Sequence, residues 1–252
     1  MNIDEKIPKR LRKEPLIEAL WQLELEPKDG EVVTEVLPGL LFTALRQEQP
    51  KLRVVRLPAA DIPSAVTRND PSLRRAPKFR IEEEDSPFLY QIGDHYVSVN
   101  CKKPYAGWKA FKEKILRIAD ILSGSGLGAR PTEHALRYLD LLTLDRPPAI
   151  SHLQLSVAIG SHRISRQPLQ IRVEVKADGL SHVVQIATPA TVALPGGKST
   201  GTLIDIETRA EVPEGNLEQL PEALETLHDS SKRLFFKEIL TPDAVKLLEP
   251  EY

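Results

Sequence analysis

Asp205 and Glu207, in Leu203-Ile204-Asp205-Ile206-Glu207, are two carboxylates two positions apart, a spacing that could serve chemistry. In an extended strand that separation puts both on one face, where a basic residue of a neighbouring strand could meet them. Arg137, in Leu136-Arg137-Tyr138-Leu139-Asp140, is the candidate; Asp140 falls on the opposite face of that strand. Arg137, Asp205 and Glu207 thus form a polar group that works either as an acid/base site in a cleft or as a structural ion pair. Paired carboxylates alone are common, and the pairing Arg137–Asp205 reads first as structural. A second grouping is His228, Lys232 and Phe235/Phe236, at successive turns of one helix. There the histidine and lysine are available to a partner and the phenylalanines to a core.

Other chemical candidates fail on spacing. Leu194-Pro195-Gly196-Gly197-Lys198-Ser199-Thr200 contains the Gly-Lys-Ser of a phosphate-binding loop. That motif also needs a glycine five residues before Gly197, where Val192 stands, and a helix opening at the serine, where a strand is expected. The segment reads as a loop between strands. The histidines His95, His134, His152, His162, His182 and His228 include no pair three or four apart, and His-Glu-x-x-His does not occur. Cys101 is the only cysteine, which excludes an internal disulfide, and it reads as a packed thiol ending an apolar strand. Gly124-Ser125-Gly126 lacks the spacing of a nucleophile elbow. No catalytic residue, metal ligand or cofactor is assigned.

The elements that must position these residues follow from periodicity. Trp21, Leu23 and Leu25 alternate with polar residues and predict a strand over 19–26. A helix is expected over 36–47, then a proline-rich connection over 50–77 with one short strand at 52–57, then a meander at 79–82, 88–92 and 96–101. Trp108, Phe111, Ile115, Ile118 and Leu122 mark a helix over 108–122. The Ser-Gly run 123–128 is the expected boundary. Beyond it, strands are expected at 135–144 and 153–159, and a hairpin joins 170–177 to 180–187 through Asp178-Gly179. On the first hairpin strand Ile171, Val173 and Val175 face one side and Arg172, Glu174 and Lys176 the other. A strand at 202–208 and a helix over 221–240 close the pattern, with Thr241-Pro242 capping a short last helix. The expected architecture is α+β: mainly antiparallel sheets covered by two long helices. Two structurally similar halves, 1–125 and 129–252, pack as one globule.

Charge locates candidate binding surfaces. The chain carries a net charge of −2 overall, which gives no whole-chain sign of nucleic-acid or membrane binding. Residues 51–80, however, hold eight Lys/Arg against two Asp/Glu, and residues 201–252 hold five against twelve. The basic segment, with Arg74 and Arg75, could meet an acidic protein or nucleic acid, although it lacks the aromatic interleaving of single-strand binders. Tyr105, beside Trp108 and Phe111, joins Arg74, Arg75, His228 and Lys232 as a candidate partner-binding residue. No stretch has the length of a membrane span, and a cytoplasmic location is expected.

Several fragments, in order, resemble a sporadically distributed bacterial family of conserved hypothetical proteins of similar length. They are Pro15-Leu16-Ile17-Glu18-Ala19, Gln91-Ile92-Gly93 through Val97-Ser98-Val99-Asn100, and Tyr105-Ala106-Gly107-Trp108 with Phe111. Leu136-Arg137-Tyr138, Leu203-Ile204-Asp205-Ile206 and His228…Phe236…Ile239-Leu240-Thr241 complete the set, which spans the chain. The resemblance implies a family of unknown function without agreed catalytic residues, distributed like genes carried in toxin–antitoxin or antiviral defence modules. The expected function is a non-catalytic interaction protein, regulatory or accessory. The alternative is a hydrolase or nucleotide-handling enzyme using Arg137, Asp205 and Glu207 in a cleft between the halves.

Overall fold

A computed structural model describes residues 6–27, 33–63, 66–67, 70, 73, 75–177 and 179–252. The chain begins with β1 (Arg10–Leu11) and β2 (Leu16–Pro27), followed by α1 (Val33–Arg46) and β3 (Arg53–Arg56). The meander β4 (Phe79–Glu82), β5 (Phe88–Ile92) and β6 (Tyr96–Lys102) leads into α2 (Trp108–Gly124) and β7 (Ala129–Leu142). After two short strands, β8 (Val157–Ile159) and β9 (His162–Ile164), come β10 (Leu169–Ala177), β11 (Leu180–Leu194) and β12 (Gly197–Glu211). The chain closes with α3 (Leu220–Arg233), a π-helical turn at Leu234–Ile239, α4 (Pro242–Leu247) and β13 (Pro250–Glu251). The fold is mixed α and β with a large antiparallel sheet. Nine strands are hydrogen-bonded in the order β10-β11-β12-β7-β2-β6-β5-β4-β3, and β1-β13 and β8-β9 form separate pairs.

The chain divides into two compact units, neither contiguous in sequence: one is Met1–Ile17, Arg137–Thr208 and Glu225–Tyr252, the other Glu18–Leu136 and Arg209–Leu224. The Ser-Gly run 123–128, expected as the boundary, lies inside the second unit. Helix α2 runs on to Gly124, and positive φ first appears at Gly126. β2, β7 and β12 each run from one unit into the other, so no single cut of the sequence separates them.

In the second unit β2 buries Trp21, Leu23 and Leu25, and pairs with β6 from Glu18↔Lys102 to Glu24↔Tyr96. α2 buries Phe111, Ile115, Ile118, Ala119 and Leu122, the stripe its period of 3.6 requires. β6 is buried along Tyr96–Cys101 on both faces, as an inner strand between β2 and β5 must be.

In the first unit an apolar cluster joins Leu142, Val184, Ile186, Ile204 and Ile206 of the strands to Phe235, Ile239 and Leu240 of the closing helical segment. Helix 221–240 was expected to be continuous; instead the α3 ladder gives way to the π turn, in which the Leu240 amide donates to the Phe235 carbonyl at 3.0 Å. That extra residue lets Phe235, Ile239 and Leu240 all face the cluster. The strand expected over 153–159 is regular only at Val157–Ile159; Leu153 instead makes an isolated bridge to Leu240, and Gln154 donates to the Lys237 and Leu240 carbonyls at 2.8 and 2.6 Å. Thr241 caps α4, its hydroxyl accepting from the Ala244 amide at 3.1 Å.

Gly201 on β12 is held by packing. A Cβ there would overlap the Leu142 carbonyl oxygen, a backbone atom that cannot swing away. Gly201→Ala is expected to lower stability by about 1–3 kcal/mol, read as a lower urea midpoint with its slope unchanged. A midpoint equal to wild type would contradict that packing.

Candidate functional site

One face of the first unit carries a row of polar side chains across four strands. Arg172 on β10 lies opposite Gln185 on β11. Gln185 Nε2 donates to Asp205 Oδ2 on β12 at 3.4 Å, and Arg137 on β7 grips the same carboxylate with Nε to Oδ1 at 2.7 Å and Nη2 to Oδ2. The period of two explains the arrangement: Ile204 and Ile206 point into the apolar cluster and Asp205 to the other face. Asp205's side chain is 7% exposed and Arg137's 39%, so the guanidinium covers a carboxylate taken out of water. A two-point fork of this kind is strong and directional. To act as a base Asp205 would first have to shed it. Glu207, two residues on, is half-buried.

The opposite face, towards α3, holds a buried hydrogen-bond network. His182 Nδ1 meets the Thr208 hydroxyl at 2.9 Å, Thr208 meets Ser231 at 2.6 Å, and Ser230 reaches His182 Nε2 at 3.2 Å. Nearby, Tyr138 Oη and His228 Nδ1 are 2.8 Å apart. Burial, with the charge of Lys232 adding to it, pushes His228 down to about 4. Burial also lowers Lys232 from its ordinary value. Both residues of the His228–Lys232 edge considered for partner contact are half-buried. Phe235 and Phe236 meet edge to face at 5.1 Å beneath it.

In the second unit the basic segment is extensively ion-paired. Arg53 and Arg80 both bind Glu82, at 2.9 and 2.8 Å, and Arg56 binds Asp61. Arg75 lies 3.3 Å from Glu24 and 3.8 Å from Glu133, while its carbonyl accepts from Tyr96 Oη. Arg74, the other candidate of this segment, lies outside the described residues. Tyr105 is half-buried and packs edge to face on Phe111 at 6.2 Å.

Asp94, which sequence marks only as a turn residue with Gly93 between β5 and β6, has partners that the sequence does not announce. It accepts from Lys78 Nζ at 2.8 Å, from Thr34 at 3.1 Å and from Thr67, and both charged side chains are about 5% exposed. Burial raises the Asp94 pKa, but the bonds from Lys78, Thr67 and Thr34 outweigh it and hold the carboxyl below its ordinary range. A lone Lys and a lone Asp sixteen residues apart give no sequence signature of that pairing.

The first unit has one conspicuously open feature. β10 pairs with β11 residue for residue from Leu169↔Thr188 to Ala177↔Leu180, without a bulge, and among the described residues no strand pairs with its outer edge. Val173 and Val175 on it are 46% and 40% exposed. The alternation of Ile171, Val173 and Val175 with Arg172, Glu174 and Lys176 is visible in sequence; that this strand ends the sheet is not. Among the described residues no three His, Cys, Asp or Glu side chains converge as metal ligands. Nor, among those residues, is any helix long and apolar enough to cross a membrane. The chain matches no protein-family model and no curated protein.

Proposed function

We propose that this protein works by binding another polypeptide, in a regulatory or accessory role, and that the open edge of β10 is its docking strand. The observation that carries the reading is the nine-residue, bulge-free edge with exposed Val173 and Val175. Natural sheets blunt such edges with prolines, bulges, short strands or charged side chains because unpaired N–H and C=O groups recruit any extended chain; β10 has only the last of these, Arg172, Glu174 and Lys176. An edge left regular serves β-augmentation, in which main-chain bonds supply affinity and alternate side chains supply selectivity. The acidic–basic polar row ending at Arg172 supplies that selectivity. The ionisable groups inside the fold support the same view, because Arg137 and Asp205, His228 and Tyr138, and Lys78 and Asp94 each complete one another's bonding. Placement within a mobile defence or toxin–antitoxin module accords with the family resemblance.

The test uses the tagged full chain expressed at natural level in its own cells. At physiological salt it is expected to retain a bound polypeptide that Val175→Lys, a charge placed on the edge, releases. If the wild-type chain is recovered alone, or Val175→Lys retains the same partner, the reading is overturned.

A further inference from the structure

We infer that the β10 edge pairs with the β10 edge of a second copy of this chain, antiparallel, about a two-fold axis at Val173. This rests on the reading of β10 as a docking strand and names its partner. Antiparallel strands related by a two-fold axis place residues of the same face opposite one another, so each allowed register is centred on a single residue. Centred on Val173, Arg172 lies opposite Glu174 of the second copy and Glu174 opposite its Arg172; Gln170 meets Lys176. On the other face Val173 meets itself and Val175 meets Ile171.

The alternatives are worse by charge or by the length of strand they pair. Centring on Arg172 sets Arg172 against Arg172. Centring on Glu174 sets Glu174 against Glu174 and Arg172 against Lys176. Centring on Ile171 leaves Glu174 unpaired. Centring on Val175 also gives two unlike pairs, Glu174 with Lys176, but it pairs only residues 173–177, whereas the Val173 register pairs all nine residues of the strand. Like charges directly opposite destabilise an antiparallel pair, and unlike charges stabilise it. The sequence of the edge is therefore self-complementary in one register along its whole length. The apolar side agrees. Ile171 is already packed against the first unit's apolar cluster, and Val173 and Val175 are the exposed continuation of that line. Arg172, Val173, Glu174 and Val175 are all exposed, and Glu174 pairs across the edge by exchanging its bond from Ser181 Oγ on β11 for the second copy's Arg172.

Sedimentation velocity of the purified chain over a concentration series reads the result. Wild type is expected to dimerise. Arg172→Glu and Glu174→Arg are each expected to weaken dimerisation about tenfold or more, because each turns two attractive cross-strand pairs into repulsive ones. Mixing the two variants is expected to restore a dimer, now mixed, in which a strand with two glutamates faces one with two arginines. The double exchange Arg172→Glu/Glu174→Arg is expected to dimerise like wild type, and circular dichroism establishes that every variant is folded. Wild type monomeric throughout the series, single variants that dimerise undiminished, or folded variants that fail to associate on mixing would each overturn the inference. A monomeric chain that still captures a different protein in cells, and loses it with Val175→Lys, overturns the second copy as partner and leaves the docking strand standing.

Discussion

Lys78→Met is expected to destabilise the second unit by about 3–5 kcal/mol, because it removes one partner of a buried ion pair and leaves the other charged. Asp94 would retain the Thr34 and Thr67 hydroxyls, but two neutral donors do not replace an ammonium at 2.8 Å in a site about 5% exposed. Trp21 and Trp108, the chain's two tryptophans, both lie in that unit, so tryptophan fluorescence during urea unfolding reads the loss directly. Lys78→Met/Asp94→Asn is expected to recover most of it, since the amide accepts from the threonines without a charge. The pH dependence has a definite sign. In wild type the folded Asp94 pKa lies below the unfolded one, so its contribution is present above the ordinary carboxyl range and is lost as pH falls through the depressed value. In Lys78→Met the carboxylate is unpaired and its pKa rises, so the deficit is largest at neutral pH and shrinks on acidification. A deficit independent of pH would show that Asp94 is not the group responsible.

Acidification of the wild-type chain should expose a second large effect, carried by two histidines. His134 is held down at about 4 by burial, with Trp21 Nε1 donating to its Nδ1 at 3.5 Å. His228 sits at about 4 through burial and the nearby Lys232. An unfolded histidine takes its proton near 6.5. Between pH 6.5 and about 4 the unfolded chain therefore binds more protons than the folded one, and stability falls as pH falls. At about 1.4 kcal/mol per pKa unit the loss approaches roughly 3 kcal/mol for each histidine at the acid end of the window. His134→Gln keeps an acceptor for Trp21 and His228→Gln keeps a partner for Tyr138, and neither glutamine can charge. Each variant is expected to flatten the dependence of the urea midpoint on pH in its own unit. If both follow the wild-type curve, these imidazoles are not buried neutral in the fold.

The basic segment shows what a count of charges over a window leaves out. Eight cations against two anions within residues 51–80 read as a patch for nucleic acid or an acidic partner. Most of the compensating carboxylates stand elsewhere in the chain, at Glu24, Glu82, Asp94 and Glu133. A count over a window cannot see partners that folding brings in from outside it. The same holds for His228, whose bond to Tyr138, ninety residues away in the chain, its helical spacing from Lys232 and Phe236 does not announce.

What the sequence determined by itself is what a short-range period can carry. The alternation around Trp21 set β2, the stripe from Trp108 to Leu122 set α2, and Thr241-Pro242 announced the cap of α4. Spacing also put Asp205 on a polar face within reach of Arg137, and the two side chains do meet. A period says which face a residue occupies but not which strand lies beside it. Strand order, and with it the open edge at β10, the discontinuous units and the Lys78–Asp94 pair, follows from contacts between residues far apart in the chain. Those contacts are won by the burial of the whole set of apolar faces at once. For Arg172 and Glu174 the sequence supplied the alternation, and only the tertiary structure placed them on an edge where a second chain can read it.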